Sequence, residues 1–317
     1  MTKYDVITFG SGLVDAFIYT GVKEEKGRIS FPVGTKIRVH EIDFAIGGGG
    51  INTAIALSDL GLKTGFLGKI GIGNNGDIIS RELKNNKIDF LGIRTKAHTG
   101  YSIVLESDKK NRTILTYKGA SDSLDYREID LKKISTKWIH FTSMGDGSFE
   151  TQKKLIDYAN RNKIKISFNP SSYQTSKGVN HIRKFIENCY FLSMNKEEAS
   201  MLIKKGDPFK ELYKIGAKII CITNGDKEGG VYDGEFLYRY FPNKGKIGGV
   251  TGAGDVFASS FIAGILRTQN VEKALRLAMA NAALKISKTR GKYELMNWKE
   301  ALKAMESKKY LIKREII

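Results

Sequence analysis

Two periods of hydrophobicity alternate along this chain, and the places where the period changes outline its architecture. "YDVITFG" (4–10) is a near-continuous apolar run closed by glycine, the pattern of a buried strand. From Phe17 to Phe44 the alternation becomes short and polar. Pieces such as "GRISFPV" (27–33) and "TKIRVHEIDFAI" (35–46) predict strands of a small sheet. "GGGGINTAIALSDLGL" (47–62) predicts a glycine turn leading into an amphipathic helix, "TGFLGKIG" (64–71) a strand, and "NNGDIISRELKNNK" (74–87) a helix. A second strand-rich patch follows, "TGYSIVLES" and "RTILTY" around the polar turn "DKKN", which reads as a hairpin.

Beyond residue 120 strands and helices alternate regularly. Strands are predicted at "KWIHFTS", "KIKISFNP", "CYFLSMN" and "AKIICITNG". Helices are predicted at "SFETQKKLIDYANRN", "HIRKFIEN", "KEEASMLIK" and "DPFKELYKIG". Such alternation implies βαβ units and a parallel sheet covered by helices. "GGVYDGEFLYRYF" predicts a hairpin at the sheet edge, and three helices, 253–267, 271–288 and 298–308, close the chain. There is no internal repeat and no linker. The expectation is a single α/β domain over 1–317, its core interrupted by two β insertions at 13–45 and 97–119.

Composition narrows the class. With 317 residues, 41% of them hydrophobic, the chain can bury a full core. No apolar run reaches the roughly 18 residues that span a bilayer. The first residues lack a basic segment followed by a long apolar one, so no membrane partner and a cytoplasmic setting are expected. Cys189 and Cys221 sit in strand-like apolar contexts and read as buried thiols of a reducing compartment. The formal charge of +18 admits nucleic acid or small anions as partners. The lysines are scattered, however, with no arginine-rich helix and no basic–aromatic interleave, so a solvated surface is expected and a nucleic-acid partner is not. The four histidines share no metal-ligand spacing.

The chemistry concentrates in "GGVTGAGDVFASSFIAGIL" (248–266). Gly252, Ala253 and Gly254 form a small-residue turn leading into a helix, where backbone N–H groups can approach an anion. Asp255 directly after it either charges the first helical turn or faces a ligand. Gly47 to Gly50 with Asn52 form a second such turn, which on its own is equally a tight turn with a capping Asn. Asn195 and Glu198 in "SMNKEEAS" stand at a spacing that serves a capping box as well as a polar site.

Gly-Gly-x-x-x-Asn followed some 200 residues later by Thr-Gly-Ala-Gly-Asp resembles the ribokinase (PfkB) family of carbohydrate and nucleoside kinases. The resemblance covers essentially the whole chain. It implies a ribokinase-like three-layer α/β/α core with a mainly parallel sheet, plus a small β-sheet lid formed by the two insertions. It implies phosphoryl transfer from ATP to a hydroxymethyl group of a sugar, or alternatively of a nucleoside. Asp255 matches the catalytic base, and Gly252, Ala253 and Gly254 the anion hole. Such an arrangement suits phosphoryl transfer, which depends mostly on positioning and charge stabilisation.

The resemblance assigns further roles. Asp15 matches the residue that accepts from sugar hydroxyls, with Gly48 and Asn52 adding contacts. Glu198 and Asn195 match the element that helps hold Mg²⁺ and phosphate through water. Thr223, Gly225 and Thr251 match nucleotide-side positions, and Asn281 and Gly291 the segment lining the adenine pocket. The expected partners are ATP, Mg²⁺, a sugar or nucleoside, and a second copy of the chain paired through the lid. Two positions depart from ribokinases proper: Leu13 stands where they carry Asn, and Gly249 where they carry Asp. These leave ribose and a potassium requirement open. A non-enzymatic nucleotide or nucleic-acid binder on the same fold is the competing reading, motivated by the charge.

Overall fold

The computed structural model describes residues 2–109, 111–242, 252–287, 295–307 and 309–317. Strand β1 (Tyr4–Phe9) leads through Gly10 into β2 (Leu13–Tyr19), then a short ribbon, β3 (Glu24–Glu25) and β4 (Arg28–Ile29), and β5 (Glu41–Gly47). Next come α1 (Gly49–Asp59), β6 (Thr64–Leu67), β7 (Lys69–Gly71), α2 (Asn74–Asn85), β8 (Asp89–Phe90) and β9 (Ile93–Thr95). A hairpin, β10 (Thr99–Glu106) and β11 (Arg112–Gly119), precedes β12 (Thr136–Thr142), α3 (Asp146–Arg161), β13 (Lys165–Asn169) and α4 (Ser172–Thr175). The chain continues with α5 (Val179–Asn188), β14 (Phe191–Asn195), α6 (Lys196–Leu202), α7 (Pro208–Ile215), β15 (Ile219–Thr223), β16 (Gly229–Tyr232) and β17 (Phe236–Tyr240). It ends with α8 (Ala253–Thr268), α9 (Val271–Ser287), α10 (Trp298–Glu306) and β18 (Ile312–Ile316).

Ten strands form one sheet in the order β18-β17-β16-β15-β14-β13-β12-β1-β6-β8. From β8 to β15 every pairing is parallel, and the last three strands add antiparallel. Alternate residues of the buried strands face opposite layers, so two cores form. Ile7, Phe141, Phe168 and Leu192 pack against Phe149, Ile156, Phe185 and Leu212 of α3, α5 and α7. Val6, Trp138, Phe191 and Cys221 pack against Phe257, Phe261, Leu275 and Met305 of α8, α9 and α10. This is a three-layer α/β/α arrangement, in which the continuous apolar strands match a sheet covered on both faces. Both cysteines are buried free thiols, and burial pushes the Cys221 thiol up to about 12. Among the described residues, no helix is long and apolar enough to cross a membrane.

The strand order reverses beside β1: the chain places β6 on one side of it and β12 on the other. In open α/β sheets this switch point opens a crevice at the carboxyl ends of the strands. A second sheet, ordered β11-β10-β2-β5, stands over those ends. One face of it carries Val14, Ile46 and Tyr101 into a third cluster with Ile51, Ile55 and Ile79 of α1 and α2, which anchors the lid on the core.

Four local predictions change. "TGFLGKIG" is two strands, because the chain leaves β1 at Gly68 and its second half pairs with β9. "TKIRVHEIDFAI" becomes a strand only from Glu41; its first half has no pairing strand, and Val39 is exposed. The chain closes on a strand as well as helices. "IKREI" completes the sheet against β17, so the predicted edge hairpin is internal. Finally, residues 120–133 fold into three short 3-10 turns that return the chain from lid to core.

The seam between β1 and α1 has no room for side chains. A Cβ at Gly50 would lie 2.7 Å from the backbone carbonyl carbon of Gly10 and 2.7 Å from the Phe66 ring. Backbone cannot step aside as a flexible side chain can. Gly50→Ala is therefore expected to destabilise the fold by about 1–3 kcal/mol, a fall of several degrees in thermal midpoint. Thermal denaturation checks this; an unchanged midpoint would refute the close packing.

Candidate active site

Helices α1 and α8 lie side by side and run the same way. Asn52 meets Asp255 at one end, and Arg267 donates to the Gly61 carbonyl at the other. Both N-termini therefore open at the crevice, each carrying partial positive charge from its unpaired N–H groups. Glycine makes both helix starts possible. Gly48 precedes α1 at φ 94, and a side chain there would strike the Ser11 carbonyl. Gly252 precedes α8 at φ 75, in left-handed backbone that glycine adopts without strain. No described side chain caps the start of α8, and a Cβ at Gly254 would meet nothing within 4 Å. The turn thus presents bare backbone to the crevice.

At the centre, Asn52 Nδ2 donates to Asp255 Oδ2 at 2.8 Å. Asn52 is buried, and Asp255 sits in the first turn of α8 with part of its surface accessible. Two influences compete on the carboxyl. Desolvation pushes its pKa up to about 6, and Asp15 adds to that. Asn52 and the charge of Lys118 pull it down. Burial wins, leaving a carboxylate whose proton affinity lies near neutrality, as a base that takes a proton in one step and loses it in the next requires.

Asp15 lies opposite, on β2. Its carboxylate fills the place a side chain at Gly47 would take. Burial raises its pKa, while Ser102 and Lys118 oppose the shift. Asp15 pairs in register with Ser102, and Ser102 with Thr116, so the three form a polar row across the lid. The Ser102 and Thr116 hydroxyls are 3.2 Å apart.

The nucleotide-side candidates collect elsewhere along the same edge. Asn195 ends β14 and Thr223 ends β15, as register partners. Asn195 accepts from Glu198 N and Glu198 Oε2 from Asn195 N, a capping box that starts α6. Glu198 Oε1 accepts from the Ser172 hydroxyl. Burial raises the Glu198 pKa. Gly225, at φ 61, turns the chain after β15. Asn281 is fully buried between helices, donating to Ser260 Oγ and accepting from Met296 N. Thr251 and Gly291 lie outside the described residues. The structure thus joins Asn52, Asp255 and the Gly252–Gly254 turn, with Asp15 and Gly48 facing them, while Asn195, Glu198 and Thr223 form a separate group.

Among the described residues, no cluster of three His, Cys, Asp or Glu could hold a metal by itself. The Glu198 carboxylate accepts from Asn195 N and from both the hydroxyl and the backbone of Ser172, which leaves it limited remaining capacity for contact with a hydrated Mg²⁺ through water. One residue is not singled out by any motif. Lys118, on β11, acts on both Asp15 and Asp255. Its signal is parity: in the hairpin "TGYSIVLES…RTILTYKG" it falls on the same side as Thr116 and Ser102.

Residues 13–297 match the sequence model of the pfkB family carbohydrate kinases. The chain belongs to this family. Like its members, it is an ATP-dependent carbohydrate kinase. An "uncharacterized sugar kinase" of Archaeoglobus fulgidus is 28% identical over 244 residues, 74% of this chain and 95% of its own. An ATP-dependent 6-phosphofructokinase of Thermoanaerobacterium thermosaccharolyticum is 25% identical over 297 residues, 90% of this chain and 88% of its own. Among solved structures, Arabidopsis thaliana ribokinase complexed with ribose and ATP has a TM-score of 0.81 at 18% identity, over 97% of this chain and 100% of that one. A Methanocaldococcus jannaschii nucleoside kinase has 0.78 at 22% identity, over 96% and 99%. At these identities the two structures are similar to this PfkB kinase in fold.

A carboxylate held against its ordinary pKa destabilises the folded chain. The unfolded Asp255 ionises near 3.8 and the folded one near 6, so the penalty is full above pH 6 and lost as pH falls toward 4. Asp255→Asn is expected to raise stability at pH 8, on the order of 1–2 kcal/mol after screening in a partly open crevice, and to leave it nearly unchanged at pH 4. Thermal melts at the two pH values test the sign.

Proposed function

We propose that this kinase transfers the terminal phosphoryl group of ATP to a hydroxymethyl oxygen of a sugar, with Asp255 as general base. The observation carrying this reading is the Asn52–Asp255 hydrogen bond beside the uncapped start of α8. Oδ2 is fixed by Asn52, which leaves Oδ1 to take the acceptor's proton. As that proton leaves, the acceptor oxygen bonds phosphorus, and the bond from phosphorus to the bridging oxygen of ADP breaks. The backbone at Gly252, Ala253 and Gly254 receives the oxygens of the migrating group. Asp15 accepts from neighbouring hydroxyls of the sugar, and Gly48 lets the acceptor lie against the start of α1. Mg²⁺ bound with the nucleotide would offset phosphate charge, and Asn195 and Glu198 are the residues that would hold it through water. Thr223, Gly225, Thr251, Asn281 and Gly291 belong to the nucleotide side.

The test is ADP release against a panel of sugars and nucleosides. A sugar is expected to support turnover. Asp255→Asn should lower kcat by about 10²–10⁴-fold with the KM for ATP nearly unchanged. The wild-type kcat/KM should fall as pH drops through about 6, where Asp255 takes up a proton. Near-normal turnover by the variant would remove the assigned base, and a clear preference for nucleosides would move the acceptor to that class.

A second copy of the chain is proposed to cover the lid. Its edge strands β5 and β11 present exposed Ile42, Phe44, Leu115 and Tyr117, an unpaired apolar edge of the kind that pairs with another chain. Sedimentation should give a dimer, and Phe44→Lys with Leu115→Lys a monomer. A wild-type monomer at micromolar concentration would end the idea.

A further inference from the structure

The crevice poses an electrostatic problem. Asp15 and Asp255 both lose water, and Asp15 makes ionisation of Asp255 harder. Yet the proposed chemistry, on which this inference rests, wants both as carboxylates at once: one to accept from hydroxyls, the other to accept a proton.

Lys118 occupies the position that resolves this. Between the Thr99–Gly119 and Tyr101–Tyr117 pairs, the register sets it opposite Gly100; Gly100 pairs with Leu13, and the adjoining row on the same face is Thr116, Ser102 and Asp15. Directly paired residues share a face, so Lys118 and Asp15 face the same side. Gly100 lies between Lys118 and Leu13 and has no side chain to block the way. Lys118 is half-buried. Among the described residues its side chain makes no hydrogen bond or ion pair, and its charge acts on both carboxylates.

We propose that Lys118 is a positioning residue of the reaction: a lid cation, shared between Asp15 and Asp255, that lets two carboxylates face one acceptor. The elements that pack against α8 or act on Asp255 contribute different groups, and β14 brings no titratable side chain. Helix α1 presents neutral Asn52, its only acid being Asp59 at the far end; β2 presents Asp15; β11 presents Lys118. Helix α9 runs antiparallel to α8, with Asn281 bonded to Ser260, which sets buried Lys285 level with Asp255. Lys285 belongs to α9 of the core and Lys118 to β11 of the lid.

The experiment reads Asp255 directly, without turnover. Protein labelled at aspartate carboxyl carbons is titrated by NMR, with the Asp255 signal assigned through Asp255→Asn. Lys118→Met should move the Asp255 midpoint up by about half a pH unit or more, and Lys118→Arg should restore it. An unchanged midpoint in Lys118→Met overturns the proposal, whatever the acceptor proves to be. In kinetics, the acid limb of kcat/KM should shift up in Lys118→Met, with activity converging on wild type at high pH and the KM for ATP unchanged. A raised KM for ATP at every pH, with the acid limb in place, would assign Lys118 to the nucleotide instead. If no sugar or nucleoside supports turnover, the functional reading fails while the NMR result still decides the role of Lys118.

Discussion

One hydrogen bond, from Asn52 to Asp255, ties together residues from opposite ends of the chain and fixes the meeting of two helix starts. Parallel neighbouring helices put like ends together, so the partial positive charges of α1 and α8 add rather than cancel. That is unfavourable unless negative charge lies between them. Asp255 supplies some of it whenever its carboxyl is ionised. The glycines at 48 and 50 follow from the same requirement, because a helix start and a strand end can approach this closely only where side chains are absent, while Gly252 supplies the left-handed backbone ahead of α8.

The rest of the fold holds this meeting point still. Two apolar layers clamp the parallel sheet from either side, and the third cluster locks the lid to α1 and α2. With that much burial in place, the chain tolerates a desolvated carboxylate at its active edge. The desolvation that costs stability there is also what gives the carboxylate its affinity for a proton.

Much of this was legible in the sequence, because the signals were periodic or compositional. Long apolar strands and 3.6-residue helices announced the layered core. Glycine turns ahead of Asn52 and Asp255 announced two helix starts, though nothing local said that they would touch. What stayed hidden depended on partners distant in sequence. The strand "IKREI" carries charge on most positions and gains its identity only from β17. Gly68 splits a continuous apolar run because the sheet and β9 compete for its two halves. Lys118 looked like one surface lysine among many until the register of β10 with β2 set it beside Asp15. Asn195 and Glu198 show the opposite case: the spacing was visible, and the structure reveals a capping box there whose carboxylate is already engaged.

The lid is assembled from two widely separated stretches of chain. Its middle joint, β2 to β10, is parallel and bridges segments with α1, β6, β7 and α2 between them. A hairpin could form on its own; this joint cannot, since the intervening elements must first be laid down against the sheet. During synthesis, Asp15 emerges with its antiparallel neighbour β5 long before Ser102 and Asp255. The polar row that joins Asp15 to Ser102 and Thr116 therefore closes only after the elements between β2 and β10 are in place.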